Sequence, residues 1–384
     1  MLREIYMDNA ATSFPKAPGV SDAMKTYLDT VGVNIGRGSY EKCTDAGLTV
    51  LDVRMRLADA FGCSDPRRVI FTAGCTDAIN RAIFGSVRPG DAVLLSSMEH
   101  NAVIRPLVSL GCRLVRIPAH PDGTMDLSAL DADLSAIRLC VCTAASNVNG
   151  ALQDIAALSA RLQPLGIPLV IDAAQAAGHI AIDMDALGIA ALCLPAHKGL
   201  RGPQGLGVLL LSERFAGMLR PTVFGGTGSQ SHSDQMPRFL PDRFEAGTLN
   251  LPGIYGLGAA MADYAPAAHR AHELALIERF QSGLSAIPHI RVPGPSDKTQ
   301  RVGVFAVDFA RRDNAEVADR LDTEYGILTR CGLHCAPEAH KTLGTYPQGA
   351  VRFSFSPATT ADELDRVLEA VEVRAQPSAR AADP

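Results

Sequence analysis

Apolar residues follow two alternating patterns through the first two thirds of the chain. Short runs of apolar, often β-branched residues predict strands, and the segments between them have the spacing of helices. The predicted strands are 69–72, 92–96, 113–117, 139–143, 168–172, 191–194 and 207–211. This alternation is typical of an α/β fold with a mainly parallel sheet, so we expect ligands at the carboxyl ends of the strands.

The pattern changes near residue 258. Apolar residues from 257 to 284 predict one long helix. The further predicted elements are a strand at 302–309, a helix at 314–325, a strand at 351–356 and a helix that Thr360 and Glu363 begin as a capping box.

These patterns divide the chain into two predicted domains. A large domain covers 16–257, and a smaller α+β domain combines 1–15 with 258–376. The residues 377–384 are rich in Pro and Ala, and we expect them to form a frayed tail.

Composition and charge exclude several classes of protein. The 384 residues include 36 Lys and Arg and 41 Asp and Glu, which gives a formal charge of −5, and 47% of the residues are hydrophobic. This balance is that of an ordinary globular protein and disfavours a nucleic-acid binder. No apolar stretch approaches the roughly 18 residues of a membrane helix, and the charged start does not fit a signal peptide. Nine cysteines without paired C-x-x-C spacing favour free thiols in a cytoplasmic protein and no metal site.

The first candidate binding feature follows the strand at 69–72. The chain there continues through Gly74 and Cys75 to Thr76, which we expect to be the N-cap of a helix. Free amides at such a helix start, together with the Thr76 hydroxyl, are suited to a phosphate. A capped helix without any ligand is the more common explanation of this segment when it is considered alone.

Two other strand ends carry charged residues, which indicate a cofactor site only when they are considered together. Asp172 ends one predicted strand, where it could bind a neighbouring Arg or a protonated ring nitrogen, and Lys198 follows another. A lysine among apolar residues can have a lowered pKa suited to Schiff-base chemistry. A phosphate site, a counter-ion and a Schiff-base lysine are together the parts that hold pyridoxal 5′-phosphate.

Six motifs of the chain, taken in order, resemble those of a known family. The motifs that carry the resemblance are Tyr6-Met7-Asp8-Asn9-Ala10-Ala11-Thr12, Glu99-His100-Asn101, Ser146-Asn147-Val148-Asn149-Gly150, Asp172-Ala173-Ala174-Gln175, His197-Lys198 and Arg330-Cys331-Gly332-Leu333-His334-Cys335. They look like the class V aminotransferase family of fold-type I enzymes, and more narrowly like cysteine desulfurases and selenocysteine lyases. The resemblance runs in order from about residue 5 to 373 and implies a fold-type I architecture with a seven-stranded sheet.

The resemblance also implies roles for individual residues. Lys198 would bind the cofactor covalently, Asp172 would contact its ring nitrogen and His100 would stack on its ring. The other implied cofactor contacts are Cys75, Thr76, Asn147, Gln175, His197 and, from the other protomer of a homodimer, Thr248. Arg352 would bind the substrate carboxylate with Asn147 and Arg330 nearby.

Cys335 matches the family's nucleophile, although a cysteine is more commonly a small buried hydrophobe. His334 and Arg330 could favour its thiolate. The implied reaction converts L-cysteine to L-alanine and leaves a persulfide on Cys335, from which a thiol or a sulfur-carrier protein takes the sulfur.

The chain departs from the family pattern at four positions. Pro195 and Ala196 replace a pair that often supplies a hydroxyl, Cys75 replaces Thr or Ala, and Tyr40 replaces His. These departures leave open a selenocysteine lyase, another pyridoxal-phosphate-dependent elimination or transamination, and a persulfide relay protein with weak catalysis.

Overall fold

The computed structural model describes residues 4–36, 38–131 and 133–376. The strands are β1 (Ile5–Tyr6), β2 (Val69–Thr72), β3 (Ala92–Ser96), β4 (Arg113–Ile117), β5 (Ile137–Thr143), β6 (Leu169–Asp172), β7 (Ala191–Pro195), β8 (Gly207–Leu211), β9 (Ile290–Arg291), β10 (Val304–Phe309), β11 (Ile327–Leu328), β12 (Arg330–Gly332) and β13 (Ala350–Ser354). The helices are α1 (Val20–Thr26), α2 (Glu41–Ala60), α3 (Cys75–Ser86), α4 (Asn101–Ser109), α5 (Ile155–Leu162), α6 (Glu213–Met218), α7 (Leu251–Ala262), α8 (Pro266–Ala286), α9 (Asn314–Tyr325), α10 (Pro337–Thr342) and α11 (Ala361–Ala375).

The large sheet has seven strands in the order β2-β8-β7-β6-β5-β3-β4. Neighbouring strands from β4 to β7 are parallel, whereas β8 is antiparallel to both β2 and β7. The predicted α/β fold with a mainly parallel seven-stranded sheet is confirmed. Every residue of β2, β3, β6, β7 and β8 is buried, which is why these strands are nearly continuous apolar runs in the sequence.

The predicted N-cap at Thr76 is wrong. Helix α3 begins at Cys75 with Gly74 as its N-cap, so Thr76 lies in the first turn. The start is stabilised from within the helix, because the Asp77 carboxylate accepts a hydrogen bond from the amide of Ala73 at 3.0 Å. The hydroxyl of Thr76 is therefore not occupied by capping and remains available to a ligand.

The single long helix predicted from 257 to 284 is also wrong. Two helices replace it, α7 and α8, and the chain turns between Asp263 and Ala265. Pro266 is the first residue of α8, a position where proline fits because the missing N–H has no partner within the helix. The predicted boundary at 257 falls inside α7, and the division into two domains stays a prediction.

The C-terminal part has its own sheet and core. Strands β12, β13, β10 and β9 form an antiparallel sheet, while β1 near the N-terminus pairs in parallel with β11. Ile5 and Met7 pack in the same apolar cluster as Phe280, Phe305 and Phe353. This packing fixes the residues that follow Met7 beside β13, close to the carboxyl edge of the large sheet.

None of the helices in the described part of the chain combines the length and the apolar character needed to cross a membrane.

Candidate active site

A cavity of about 700 Å³ lies at the carboxyl edge of the large sheet. Eight residues that the sequence singled out line it, namely Cys75, Thr76, His100, Asn147, Asp172, Gln175, His197 and Lys198. They come from strands and helices that are far apart in the chain but end at the same edge, as expected for ligand-binding positions in an open α/β sheet. We call this space the cofactor cavity.

Asp172 is the last residue of β6 and is only 4% exposed. Its Oδ1 atom accepts hydrogen bonds from the backbone amide of Ala174 at 2.9 Å and from the thiol of Cys75 at 3.5 Å. No arginine or lysine forms an ion pair with it among the described residues. A buried carboxylate without a cationic side chain beside it is suited to a protonated ring nitrogen.

Cys75, one of the departures from the family pattern, is directed toward that carboxylate. Burial, followed by the charge of Asp172, raises the pKa of its thiol well above the usual value. The thiol is therefore protonated at neutral pH and acts as a hydrogen-bond donor to Asp172, not as a nucleophile.

Lys198 lies three residues after β7, at the wall of the same cavity. Burial lowers the pKa of its amine, although Asp172 acts in the opposite direction. Its backbone is held by a close approach between two turns, since a Cβ on Gly199 would lie 2.1 Å from the carbonyl oxygen of Ala177. A lysine amine in a fixed position, with a pKa lowered by burial, is suited to Schiff-base formation and to proton transfer.

His100 is the N-cap of α4 and forms another wall of the cavity. Its Nδ1 atom accepts a hydrogen bond from the amide of Ala102 at 3.0 Å, which places the proton of the neutral ring on Nε2. Burial is the largest cause of a lowered pKa for this ring, so it is neutral at physiological pH.

The start of α3 and the residue His197 form the side of the cavity suited to phosphate. Thr76 supplies a hydroxyl, which has no hydrogen-bond partner in the described part of the chain, beside the first amides of the helix. His197 has its Nδ1 atom 3.0 Å from the hydroxyl of Thr12, and burial together with Lys198 and Lys16 lowers its pKa to about 4. His197 can therefore contribute a neutral N–H but no positive charge.

Cys335 is exposed and lies in a second cavity that adjoins the first. His334 and Cys335 both have left-handed backbone conformations, with φ values of 50° and 56°. Two hydrogen bonds hold them: the Asn147 side chain donates to the His334 carbonyl at 2.6 Å, and the Asn101 amide donates to the Cys335 carbonyl at 2.8 Å. Strained residues fixed by their surroundings are common at functional sites.

The expectation that His334 promotes the Cys335 thiolate by its charge is wrong. Burial, followed by the nearby Arg352, lowers the pKa of His334 to about 3, so the ring carries no positive charge at neutral pH. Its Nδ1 and Nε2 atoms lie 3.3 Å from Nε2 of His340 and 3.2 Å from the carbonyl oxygen of Arg330. His334 thus fixes the backbone of the Cys335 segment.

Arg352 and Arg330 share one carboxylate, that of Asp8, for which the sequence predicted no role. Asp8 accepts from Nη2 of Arg352 at 2.9 Å through one oxygen and from Nε of Arg330 at 3.1 Å through the other. Arg352 also donates to the carbonyl of Asn147 at 3.1 Å, and its buried Nε atom has no partner among the described residues. Asp8 belongs to the motif from Tyr6 to Thr12 that carries the family resemblance, but that motif alone does not indicate its contact with Arg352.

Gln175 and Thr248 differ in their relation to the cofactor cavity. Gln175 lines it and donates from its amide to the carbonyl of Ala10 at 2.9 Å. Thr248 is exposed and is not among the residues that line the cavity.

The sequence profile of the Aminotransferase class-V family matches residues 5–367. The chain belongs to this family. It is 31% identical over 97% of its length to a probable cysteine desulfurase of Methanothermobacter thermautotrophicus, 95% of which is covered. It is 32% identical over 94% of its length to a cysteine desulfurase of Dickeya dadantii, 90% of which is covered.

Solved structures of two cysteine desulfurases have the same fold. An apo cysteine desulfurase from Thermococcus onnurineus superposes with a TM-score of 0.90 at 28% identity, covering 97% of this chain and 94% of that one. A cysteine desulfurase from Escherichia coli superposes with a TM-score of 0.85 at 27% identity, covering 96% and 94%. The fold-type I architecture expected from the resemblance is therefore confirmed.

Proposed function

We propose that the protein is a pyridoxal-phosphate-dependent cysteine desulfurase that converts L-cysteine to L-alanine and stores the released sulfur as a persulfide on Cys335. One observation carries the proposal. Lys198 and Asp172 line one cavity, and the exposed thiol of Cys335 lies in a second cavity that shares His100 and Thr76 with the first. A reaction that needs only the cofactor would not require a nucleophile beside it.

The residues of the cofactor cavity fit pyridoxal 5′-phosphate. Lys198 would bind it covalently, Asp172 would pair with its ring nitrogen, His100 would stack on its ring, and Thr76 and His197 would contact its phosphate. When bound, this cofactor supplies an electron sink for the pair released at the substrate Cα. The thiol of Cys75 donates a hydrogen bond to Asp172, and this bond favours the carboxylate form of Asp172.

Three side chains, Arg352, Lys198 and Cys335, carry out substrate binding, proton transfer and nucleophilic attack. Arg352 has a buried Nε donor without a partner in the described chain, and we assign it to the substrate carboxylate. Lys198, with a pKa lowered by burial, removes the proton from the substrate Cα and returns a proton to the product. The Cys335 thiolate attacks the substrate sulfur, so that the carbon–sulfur bond breaks and a sulfur–sulfur bond forms. Cysteine and one thiol thus give alanine and one persulfide.

Substrate identity and the role of Cys335 can be tested together. Alanine release is measured with L-cysteine and with L-selenocysteine for wild type, Cys335→Ala and, as a matched control, Cys331→Ala. Cys331 lies four residues away in the same segment and is half-buried. We expect only Cys335→Ala to lose cysteine turnover. Activity of the wild type on selenocysteine alone would support a selenocysteine lyase, and no alanine from either substrate would refute both functions.

We further propose a homodimer in which Thr248 of one protomer reaches the cofactor phosphate of the other. Thr248 is exposed and does not line the cavity of its own chain. Helix α2 carries an exposed apolar stripe of Leu48, Leu51 and Met55, which a second copy would bury. Leu51→Glu should lower the molar mass seen by analytical ultracentrifugation, whereas Val373→Glu, at an exposed apolar position of α11, should not. A wild-type monomer would refute the dimer.

A further inference from the structure

The cavity that contains Cys335 has a volume of about 430 Å³ and is formed mainly by two helices. We call it the outer cavity. Residues Thr76, Asn80 and Phe84 of α3 form one wall, and Asn101, Arg105 and Ser109 of α4 form the other. The four-residue spacing in each set places its members along one face of the helix. The outer cavity is therefore a trough about two helical turns long.

One end of the trough adjoins the cofactor cavity. Thr76 and His100, at the N-terminal ends of α3 and α4, line both cavities. Phe84 and Ser109, at the C-terminal ends of the two helices, line only the outer cavity and are exposed. Because Cys335 is bound through its carbonyl to the first amide of α4, its thiol lies near the inner end of the trough, and a second reactant can approach from the outer end.

The charge of the outer cavity is positive. Arg105 is exposed, and no carboxylate forms an ion pair with it among the residues that the structure describes. Within residues 4–36, 38–131 and 133–376, the lining of the outer cavity contains neither Asp nor Glu. His100 adds no charge, since burial lowers its pKa.

Arg105 lies one helical turn, about 6 Å along the axis, from Asn101. A short thiol with an acidic group at its other end can span this separation.

We propose that the outer cavity binds a low-molecular-weight thiol that carries a carboxylate or sulfonate, and that Arg105 recognises the anionic group. The inference rests on the proposed function, because this thiol is the acceptor of the sulfur. Its thiolate attacks the terminal sulfur of the Cys335 persulfide. The sulfur–sulfur bond of the protein breaks, a new one forms on the acceptor, and Cys335 leaves as a thiolate, so no further oxidant or reductant is needed.

The first test does not depend on turnover. Cys335 is alkylated with iodoacetate, which is anionic, and with iodoacetamide, which is neutral, and the modification of its peptide is followed by mass spectrometry. We expect Arg105→Ala to lower the ratio of the iodoacetate rate to the iodoacetamide rate about threefold, as for the loss of one exposed charge pair. The effect should diminish at high salt. Arg138→Ala, at an exposed position near the start of β5, should leave the ratio unchanged.

The second test follows the acceptor reaction. Holoenzyme is loaded with L-cysteine, the excess substrate is removed, and loss of the persulfide is measured with 2-mercaptoethanesulfonate and with 2-mercaptoethanol. Arg105→Ala should slow discharge by the sulfonate relative to the neutral thiol by about the same factor. Equal ratios of the two discharge rates in wild type and Arg105→Ala would overturn the proposal. The outer cavity would then be a candidate contact surface for an acceptor protein. Failure of the wild type to form any persulfide would refute the desulfurase function itself, whatever the alkylation ratios are.

Discussion

Arg352 donates a hydrogen bond from Nη2 to Oδ1 of Asp8 at 2.9 Å, and both side chains are buried. The two residues are separated by 344 positions in the chain. Asp8 neutralises part of the charge of Arg352 and fixes the plane of its guanidinium group, which leaves the Nε donor free for a ligand. Arg352, which the sequence predicts to bind the substrate carboxylate, is thus oriented by the carboxylate of Asp8.

Arg352→Ala should raise the KM for L-cysteine about 10- to 100-fold, because a charge-assisted hydrogen bond to the substrate carboxylate is lost. Asp8→Asn should raise KM in the same direction but less, since Arg352 keeps its charge and loses only its orientation. Steady-state alanine release checks both variants. Arg138→Ala, at an exposed position near the start of β5, serves as the control and should leave KM unchanged. An unchanged KM in Arg352→Ala would contradict the assignment.

Lys198→Ala should abolish both the covalent attachment of pyridoxal phosphate and all turnover. Reduction with borohydride followed by peptide mass spectrometry locates the attached cofactor. Lys16→Ala is a suitable control, because the Lys16 amine lies close by, 3.1 Å from the carbonyl oxygen of His197, but is not part of the cavity wall. Cofactor attached to another lysine in Lys198→Ala would contradict the assignment.

Gly199→Ala should destabilise the fold by about 1 to 3 kcal/mol, because overpacking forces the backbone apart. The added methyl group would lie 2.1 Å from the carbonyl oxygen of Ala177. The same shift should move Lys198 and lower turnover. Gly217→Ala is the matched control, since a Cβ there meets no atom within 4 Å and should stabilise the helix by up to about 1 kcal/mol. Urea unfolding of both variants measures the difference, and equal midpoints would argue against the close contact.

His340 makes stability depend on pH in the acid range. It is fully buried, its Nδ1 atom lies 2.7 Å from the hydroxyl of Thr345, and burial lowers its pKa to about 4. A histidine in the unfolded chain has a pKa of about 6.5. Between these two values the unfolded chain binds a proton that the folded protein does not, so stability falls as the pH falls.

For this group alone the loss is up to about 1.4 kcal/mol per pH unit below about pH 6.5. His340→Gln should therefore show a shallower decrease in unfolding free energy between pH 7 and pH 5 than the wild type, as measured by urea unfolding. His232→Gln, at an exposed position, should keep the wild-type slope. An identical slope in His340→Gln would show that His340 is not held neutral by the fold.

Much of the architecture could be predicted because it depends on short-range patterns. Four predicted strands, β2, β3, β4 and β8, have the observed bounds, since each is a short, mostly apolar run between polar turns. The capping box at Thr360 and Glu363 is also present. The errors at Thr76 and at Pro266 arose where one local signal competed with another: Gly74 took the N-cap position, and the proline began a new helix.

The sequence alone determined the elements, the α/β class and the chemical types of the residues that could bind a cofactor, because periodicity and motif spacing are properties of the linear chain. Which of these groups meet, and in which state of charge, depends on how the elements pack. Burial makes His334 neutral, Asp8 reaches Arg352 across the whole chain, and Arg105 comes to share a cavity with Cys335. Desolvation and contacts between distant residues exist only once the elements have packed.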